Sequence, residues 1–240
     1  MAFELSKKIG EIVCARLQGE EDTAPDFAKM EYPSWLPMMK FEIHQYKVRG
    51  FGQVMTMDTK MMGGIMKLST IVFTPSSGVN MPFLLIDTME MIGGKNLAYV
   101  EYYDLTAGAA VIPNSENYKE RFAGIPDYEE TPAWYVSERT PYSLIKGGRG
   151  ADKEELLEMV LYCVDCYLEA FNTAEVNPEN VERLKDFQSK MIDLGNPSTK
   201  TMTTVLGSKE AADYFFERIV MPVPEISTLA DEKESAEETV

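Results

Sequence analysis

The sequence predicts an α+β fold, a three-layer α/β/α sandwich with a central, mainly antiparallel sheet flanked by helices. Two observations carry that reading: five consecutive runs of period-two character between residues 41 and 105, and a block of helical periodicity after residue 152. Strands followed by a block of helices place the helices on the faces of the sheet.

Residues 2–17 set Phe3, Ile9, Ile12, Val13 and Leu17 at roughly helical spacing, with Gly19 as a stop, which predicts an amphipathic helix. A loop with Pro25, Pro33 and Pro37 follows. Residues 41–48, 53–61, 65–73, 82–92 and 95–105 then read as strands. Turn chemistry separates them: Gly50 and Gly52, Gly63-Gly64, residues 75–80, and Gly93-Gly94. Links this short predict an antiparallel meander.

Residues 106–149 are loop-rich, with Pro113, Pro126, Pro132 and Pro141, and one more short strand is expected at 134–137. Three helices follow. Residues 152–174 open with a charged turn and repeat Leu156, Met159, Val160, Cys163, Tyr167 and Phe171 on one face. Pro178 and Gly195 bracket a second helix, and residues 199–220 form a third, interrupted near Gly207.

With 240 residues, 45% hydrophobic and 26% charged, one domain over residues 1–224 is expected. The acidic stretch 225–240 lacks aromatics and is expected to be a disordered tail. No run approaches the ~20 apolar residues of a membrane span, and no signal-peptide pattern opens the chain. Cytoplasmic placement, with no membrane partner, is therefore expected. Cys14, Cys163 and Cys166 are too few and too unevenly placed for a disulfide framework. The 39 acidic residues against 23 basic ones give a net charge of −16, which argues against nucleic-acid binding.

Several patterns carry little chemistry. His44 is the single histidine and has no spaced metal-ligating partner. Cys163 and Cys166 fall inside a helix, where core packing is the stronger reading. Gly147-Gly148-Arg149-Gly150 lacks the glycine and lysine spacing of nucleotide loops and reads as a turn. Sixteen methionines suit either ordinary core packing or a cavity that adapts to an irregular apolar ligand.

The informative stretch is 81–91. Under strand alternation Met81, Phe83, Leu85, Asp87, Met89 and Met91 share a face, leaving one carboxyl group among large apolar side chains. Burial disfavours its ionised form, so Asp87 is a candidate proton donor. The same pattern also fits a carboxylate paired with a buried lysine or capping a loop. Glu90 lies on the other face.

The runs 66–75, 81–87, 93–94 and 98–105, followed by Pro132-Ala133-Trp134, the helix from Glu154, Gln188, Asn196-Pro197-Ser198 and 206–221, resemble ferredoxin-dependent bilin reductases, whose relatives include red chlorophyll catabolite reductase. The resemblance spans about residues 46–221. It implies reduction of a linear tetrapyrrole such as biliverdin, with no tightly bound cofactor and with external reduced ferredoxin or flavodoxin as electron donor. It implies that Asp87 protonates the bilin, with Ser69, Asp58, Asn196 and Arg149 as substrate-binding positions. Some members carry a histidine beside the acid, and the matching position is Ser69. Others use a second acid where this chain has Asn196. Lys146 and Arg149 are expected to receive propionates. Lys40, Lys47, Arg49, Lys60 and Lys67 are the candidate basic patch for an acidic ferredoxin. A tetrapyrrole-binding protein of the same fold without the chemistry is the alternative.

Overall fold

The structure, a computed structural model, describes residues 1–21, 39–75, 79–105, 111–175, 180–196 and 198–223, with the side chains of residues 39, 40, 180 and 181 excepted. Pro25, Pro33, Pro37, Pro178, Pro197, the side chain of Lys40 and the tail 225–240 lie outside the described residues.

Seven strands form one sheet in the order of the chain, every neighbouring pair antiparallel: β1 (Glu20–Glu21), β2 (Met39–Val48), β3 (Gly52–Met61), β4 (Met66–Pro75), β5 (Phe83–Met91), β6 (Lys95–Tyr103) and β7 (Leu144–Arg149). The α+β class and the meander expected from short turns are both observed. Helices α1 (Ala2–Arg16), α2 (Tyr118–Arg121) and α3 (Lys153–Phe171) are followed by α4 (Asn180–Asp193), α5 (Thr199–Leu206) and α6 (Lys209–Phe215).

Period-two alternation divides the sheet into two apolar faces. One face presents Val54, Ile71, Phe73, Leu84, Ile86, Val100 and Tyr102 to α1 and α3, and all seven are fully buried. On α1, Leu5, Ile9 and Val13 recur every four residues on the buried side, while Lys8 pairs with Glu4 at 2.8 Å on the solvent side. Asp152 caps α3 by accepting from the amides of Glu154 and Glu155 at 2.7 and 3.0 Å. Tyr167 of α3 donates its hydroxyl to the Pro82 carbonyl at 2.6 Å, and Tyr102 donates to the Cys163 carbonyl at 3.1 Å. These two bonds let large tyrosines be buried without an orphaned hydroxyl. Cys163 and Cys166 are both buried in this core.

The second face presents Met55, Met57, Val72, Phe83 and Tyr103 to α4–α6. Leu184, Phe187 and Met191 form the buried stripe of α4. Gly207, at φ 84°, ends α5 in the left-handed conformation that favours glycine. Ser208 then caps α6 by accepting from the Ala211 amide at 3.1 Å, and a π-helical turn, Phe216–Val220, closes the segment. Gln188 of α4 donates to the Met221 carbonyl at 2.6 Å and so ties that turn back to the helix layer.

Two expectations are overturned. Residues 134–138 form a 3₁₀ helix rather than a strand. Trp134 there donates to the Gly195 carbonyl at 2.7 Å and packs its ring near Phe187, contacts a strand at the sheet edge could not make. Of the glycine-rich run read as a turn, Gly147, Gly148 and Arg149 belong to β7 and only Gly150 lies in a turn. Gly147, at φ +123°, would place a Cβ 2.2 Å from the Asn96 carbonyl oxygen, so a residue without a side chain is required for β7 to approach β6. The outer edge of β7 is covered, because Gly147 donates to the Pro126 carbonyl at 2.8 Å and the Tyr128 amide donates to Ile145 at 3.0 Å.

Candidate functional site

A cavity of about 200 Å³ lies between the second face of the sheet and the α4–α6 layer. Its floor is built by alternation on four strands: Phe41 from β2, Met57, Thr59 and Met61 from β3, Leu68 and Thr70 from β4, and Phe83, Leu85, Asp87 and Met89 from β5. Met191, Met202, Phe215, Phe216 and Val220 close it from the helical side, with Asn196, Ser198 and Thr201 supplying polar groups. Five methionines therefore line the cavity, and their unbranched side chains suit an irregular apolar ligand.

Asp87 is the acid of this floor. The β4–β5 register sets it opposite Thr70, and the β5–β6 register sets it opposite Tyr99. The Thr70 hydroxyl donates to its Oδ1 at 2.5 Å. Among the described residues no cation pairs with it, so neither a buried lysine nor a loop cap accounts for its position. Burial raises its pKa to about 6, against the opposing pull of the Thr70 hydrogen bond. A carboxyl group poised there exchanges a proton near neutral pH.

Beside the cavity, the same face carries a second acid, and this one is buried. Glu101 is fully enclosed and makes an ion pair with Arg139, which also reaches Glu130 at 2.5 Å. Tyr103, which lines the cavity, donates its hydroxyl to Glu101 Oε1 at 3.0 Å. Burial pushes Glu101 up to about 7, while the Arg139 guanidinium pulls the other way and the nearby Asp87 charge adds to the rise.

The other sequence-derived positions are distributed differently from expectation. Ser69 and Asp58 lie on the opposite face of the sheet, under α1, where Ser69 and Ser6 both donate to Asp58 Oδ1 at 2.5 Å. Neither borders the cavity. The cause is parity: one step along β4 turns a side chain to the other face, and the residue beside the acid is Thr70. Burial raises the Asp58 pKa, and the two hydroxyls oppose that rise. Asn196 does line the cavity, but its amide is engaged locally. Its Oδ1 accepts from the Ser198 amide and hydroxyl at 3.0 and 2.8 Å, and its Nδ2 donates to the Met191 carbonyl at 3.2 Å.

Arg149 is exposed at the end of β7 and outside the cavity lining, its guanidinium beside the turn at Gly93. Lys146 is buried and faces away from the cavity, held by Asp127 at 2.8 Å and the Ile125 carbonyl at 3.1 Å. The expected basic patch is divided. Lys60 and Lys67 stack over the Phe3 ring at one end of the sheet, at 4.9 and 5.5 Å, whereas Lys47 and Arg49 lie at the far end of β2. His44 pairs with an acid across the first two strands, with Nδ1 2.5 Å from Glu21 Oε1.

Thr70, Thr59 and the Tyr103–Glu101–Arg139 group were not singled out in the sequence. Alternation alone holds the signal for the two threonines, since Thr59 shares parity with Met57 and Met61, and Thr70 with Leu68. The Arg139 contact crosses from a loop and leaves no periodic trace. Among the described residues no cluster of three His, Cys, Asp or Glu side chains is placed to hold a metal ion, and no helix is long and apolar enough to cross a membrane.

Fold and site together define an α/β/α sandwich with a partly buried carboxyl group on the floor of a methionine-rich cavity. No family model and no curated protein matches the sequence. The structure is similar to the crystal structure of phytochromobilin synthase from tomato in complex with biliverdin, with a TM-score of 0.67 over 95% of this chain and 88% of that chain, at 10% identity. That likeness shows the fold.

Proposed function

We propose that the protein reduces a linear tetrapyrrole such as biliverdin, taking electrons from an external ferredoxin or flavodoxin and using Asp87 as proton donor. The observation that carries this reading is Asp87 itself, a carboxyl group with no cation paired to it among the described residues and with its pKa raised to about 6, on the floor of an apolar cavity. Its chemistry fits a basic pyrrole nitrogen or a carbon that becomes basic on reduction. The fold neighbour was crystallised with biliverdin, which supports the ligand class.

Reduction of one double bond consumes two electrons and two protons. The electrons come singly from the external donor, and Asp87 delivers one proton after each, being reprotonated from solvent between the two transfers. The low polarity of the cavity favours the neutral acid before each transfer. The net charge of −16 slows the approach of an acidic donor unless local cations prevail, so turnover should accelerate as added salt screens the repulsion.

The test is an anaerobic absorbance titration with biliverdin followed by reduced ferredoxin. Binding gives a spectral shift, and reduction then gives loss or displacement of the visible band. A protein that binds the pigment without reducing it is the second reading, favoured by the engagement of Asn196 in its own turn, where an amide supplies no proton. A shift with no change on adding reductant would select that second reading. Absence of any shift would remove both.

A further inference from the structure

We propose that Thr59 is the second anchor of the ligand, its hydroxyl donating to a carbonyl oxygen at the far end of a molecule whose reacting ring lies over Asp87. The inference rests on the tetrapyrrole reading and specifies how such a molecule is held.

Four buried side-chain polar atoms lack a hydrogen-bond partner among the described residues: Gln53 Nε2, Thr59 Oγ1, Thr88 Oγ1 and the Tyr118 hydroxyl. Only one of these residues, Thr59, lines the cavity, and it is 2% exposed. A buried hydroxyl without a partner is unfavourable, and an unexplained one in a ligand cavity points to a partner that arrives with the ligand. Of the other hydroxyl and amide groups of the lining, Thr70 donates a hydrogen bond to Asp87, Asn196 and Ser198 bond to each other, and Thr201 is exposed, where water satisfies it. Thr59 is thus the buried donor of this cavity that is left to meet a ligand acceptor.

Register sets the span. Thr59 is opposite Leu68, two residues from Thr70, and Thr70 is opposite Asp87. Two strand spacings and one two-residue step separate the Cα atoms by about 12 Å. A single-ring acid does not bridge that distance. A linear chain of pyrrole rings ending in a lactam carbonyl does, and the Met57, Leu68 and Met89 side chains give it an apolar bed beside the line between the two polar points.

The experiment compares wild type, Thr59→Val, Thr59→Ser and Thr59→Ala in biliverdin titrations, with the lactam carbonyl stretch of the bound pigment read by vibrational spectroscopy. Thr59→Val keeps the branched shape and removes the donor, so affinity should fall about tenfold, with the carbonyl band moving toward higher frequency. Thr59→Ser should bind within about twofold of wild type, because it restores the hydroxyl. The ligand-free Thr59→Val protein should unfold at the same or a higher temperature, since it loses an unsatisfied polar atom; if that variant does not fold, Thr59→Ala removes the same donor without adding bulk. Equal affinity and an unchanged carbonyl band in the variants lacking the hydroxyl, with wild type binding normally, would overturn the Thr59 anchor alone. Failure of wild type to bind biliverdin would overturn the tetrapyrrole reading, and the anchor with it.

Discussion

Thr70 and Asp87 face each other across the β4–β5 ladder, with the threonine hydroxyl donating to the aspartate Oδ1 at 2.5 Å. Two effects compete at this contact. Burial favours the protonated acid, whereas a donor pointed at the carboxylate favours the ionised one. Burial wins, and the pKa stands at about 6 instead of the ordinary 3.8.

Thr70→Val removes the opposing effect and keeps the shape. A hydrogen bond worth about 1 kcal/mol corresponds to a further rise of roughly 0.7 pKa units. A reaction that needs the protonated acid slows as pH rises through that pKa, so the variant should remain active to a higher pH than wild type. The measurement is the pH dependence of biliverdin reduction under reduced ferredoxin. A descending limb at an unmoved pH would separate Thr70 from the acid's titration.

Asp87→Asn separates chemistry from stability. The folded-state pKa is raised above the unfolded one, so between about pH 4 and pH 6 the folded protein holds the extra proton. Stability therefore falls as pH rises through that window and stays lower above it. The shift sets a ceiling of about 3 kcal/mol; since the residue borders an open cavity, we expect a gain of about 1–2 kcal/mol for Asp87→Asn at pH 8 and little gain at pH 4. Urea denaturation at the two pH values measures it, while turnover should be lost with pigment binding retained. Matching denaturation midpoints for variant and wild type at pH 8 would contradict an ionised, poorly solvated Asp87.

Ser69 and Asp58 test the division between the two faces. Asp58 accepts from both Ser6 and Ser69 and so pins α1 to the sheet. Asp58→Ala strands two buried hydroxyls and should cost about 2 kcal/mol of stability. Because neither residue borders the cavity, biliverdin affinity should be unchanged in Ser69→Ala and in Asp58→Ala at temperatures where each is folded. A selective loss of affinity would return Ser69 to the site.

Most of the sheet was legible because its strands obey one rule, alternation between two apolar faces, and glycine pairs mark its turns. Asp87 was legible for the same reason: a carboxyl group in phase with Phe83, Leu85 and Met89 breaks the pattern. Parity also placed Thr70 and Thr59 on that face, yet the family resemblance directed attention one residue away, to Ser69. β7 was hidden by Gly147 and Gly148, which resemble a turn until the close approach to Asn96 is known. The 3₁₀ helix at 134–138 was hidden because its determinants, the Trp134 bond to Gly195 and the packing on Phe187, reach residues more than fifty positions away.

The Glu101–Arg139 pair holds the loop before β7 against the cavity wall, and its removal should be strongly pH-dependent. Both side chains are nearly inaccessible, and the guanidinium is the cation that compensates Glu101. Arg139→Met preserves much of the volume but leaves that carboxylate buried without its partner. Such losses cost about 3–5 kcal/mol when the remaining group is charged. Glu101 sits near pKa 7 because burial outweighs the guanidinium. At pH 5 it is protonated, and the variant should lose less stability than at pH 8. The double variant Arg139→Met with Glu101→Gln should recover part of the loss at pH 8, since the enclosed Glu101 charge is gone and only the more exposed Glu130 is left without its partner. Denaturant titrations of wild type, both single variants and the double variant at the two pH values complete the cycle. Additive losses with no pH dependence would mean that Arg139 acts through packing on Tyr103 and Tyr135 and not through the charge of Glu101.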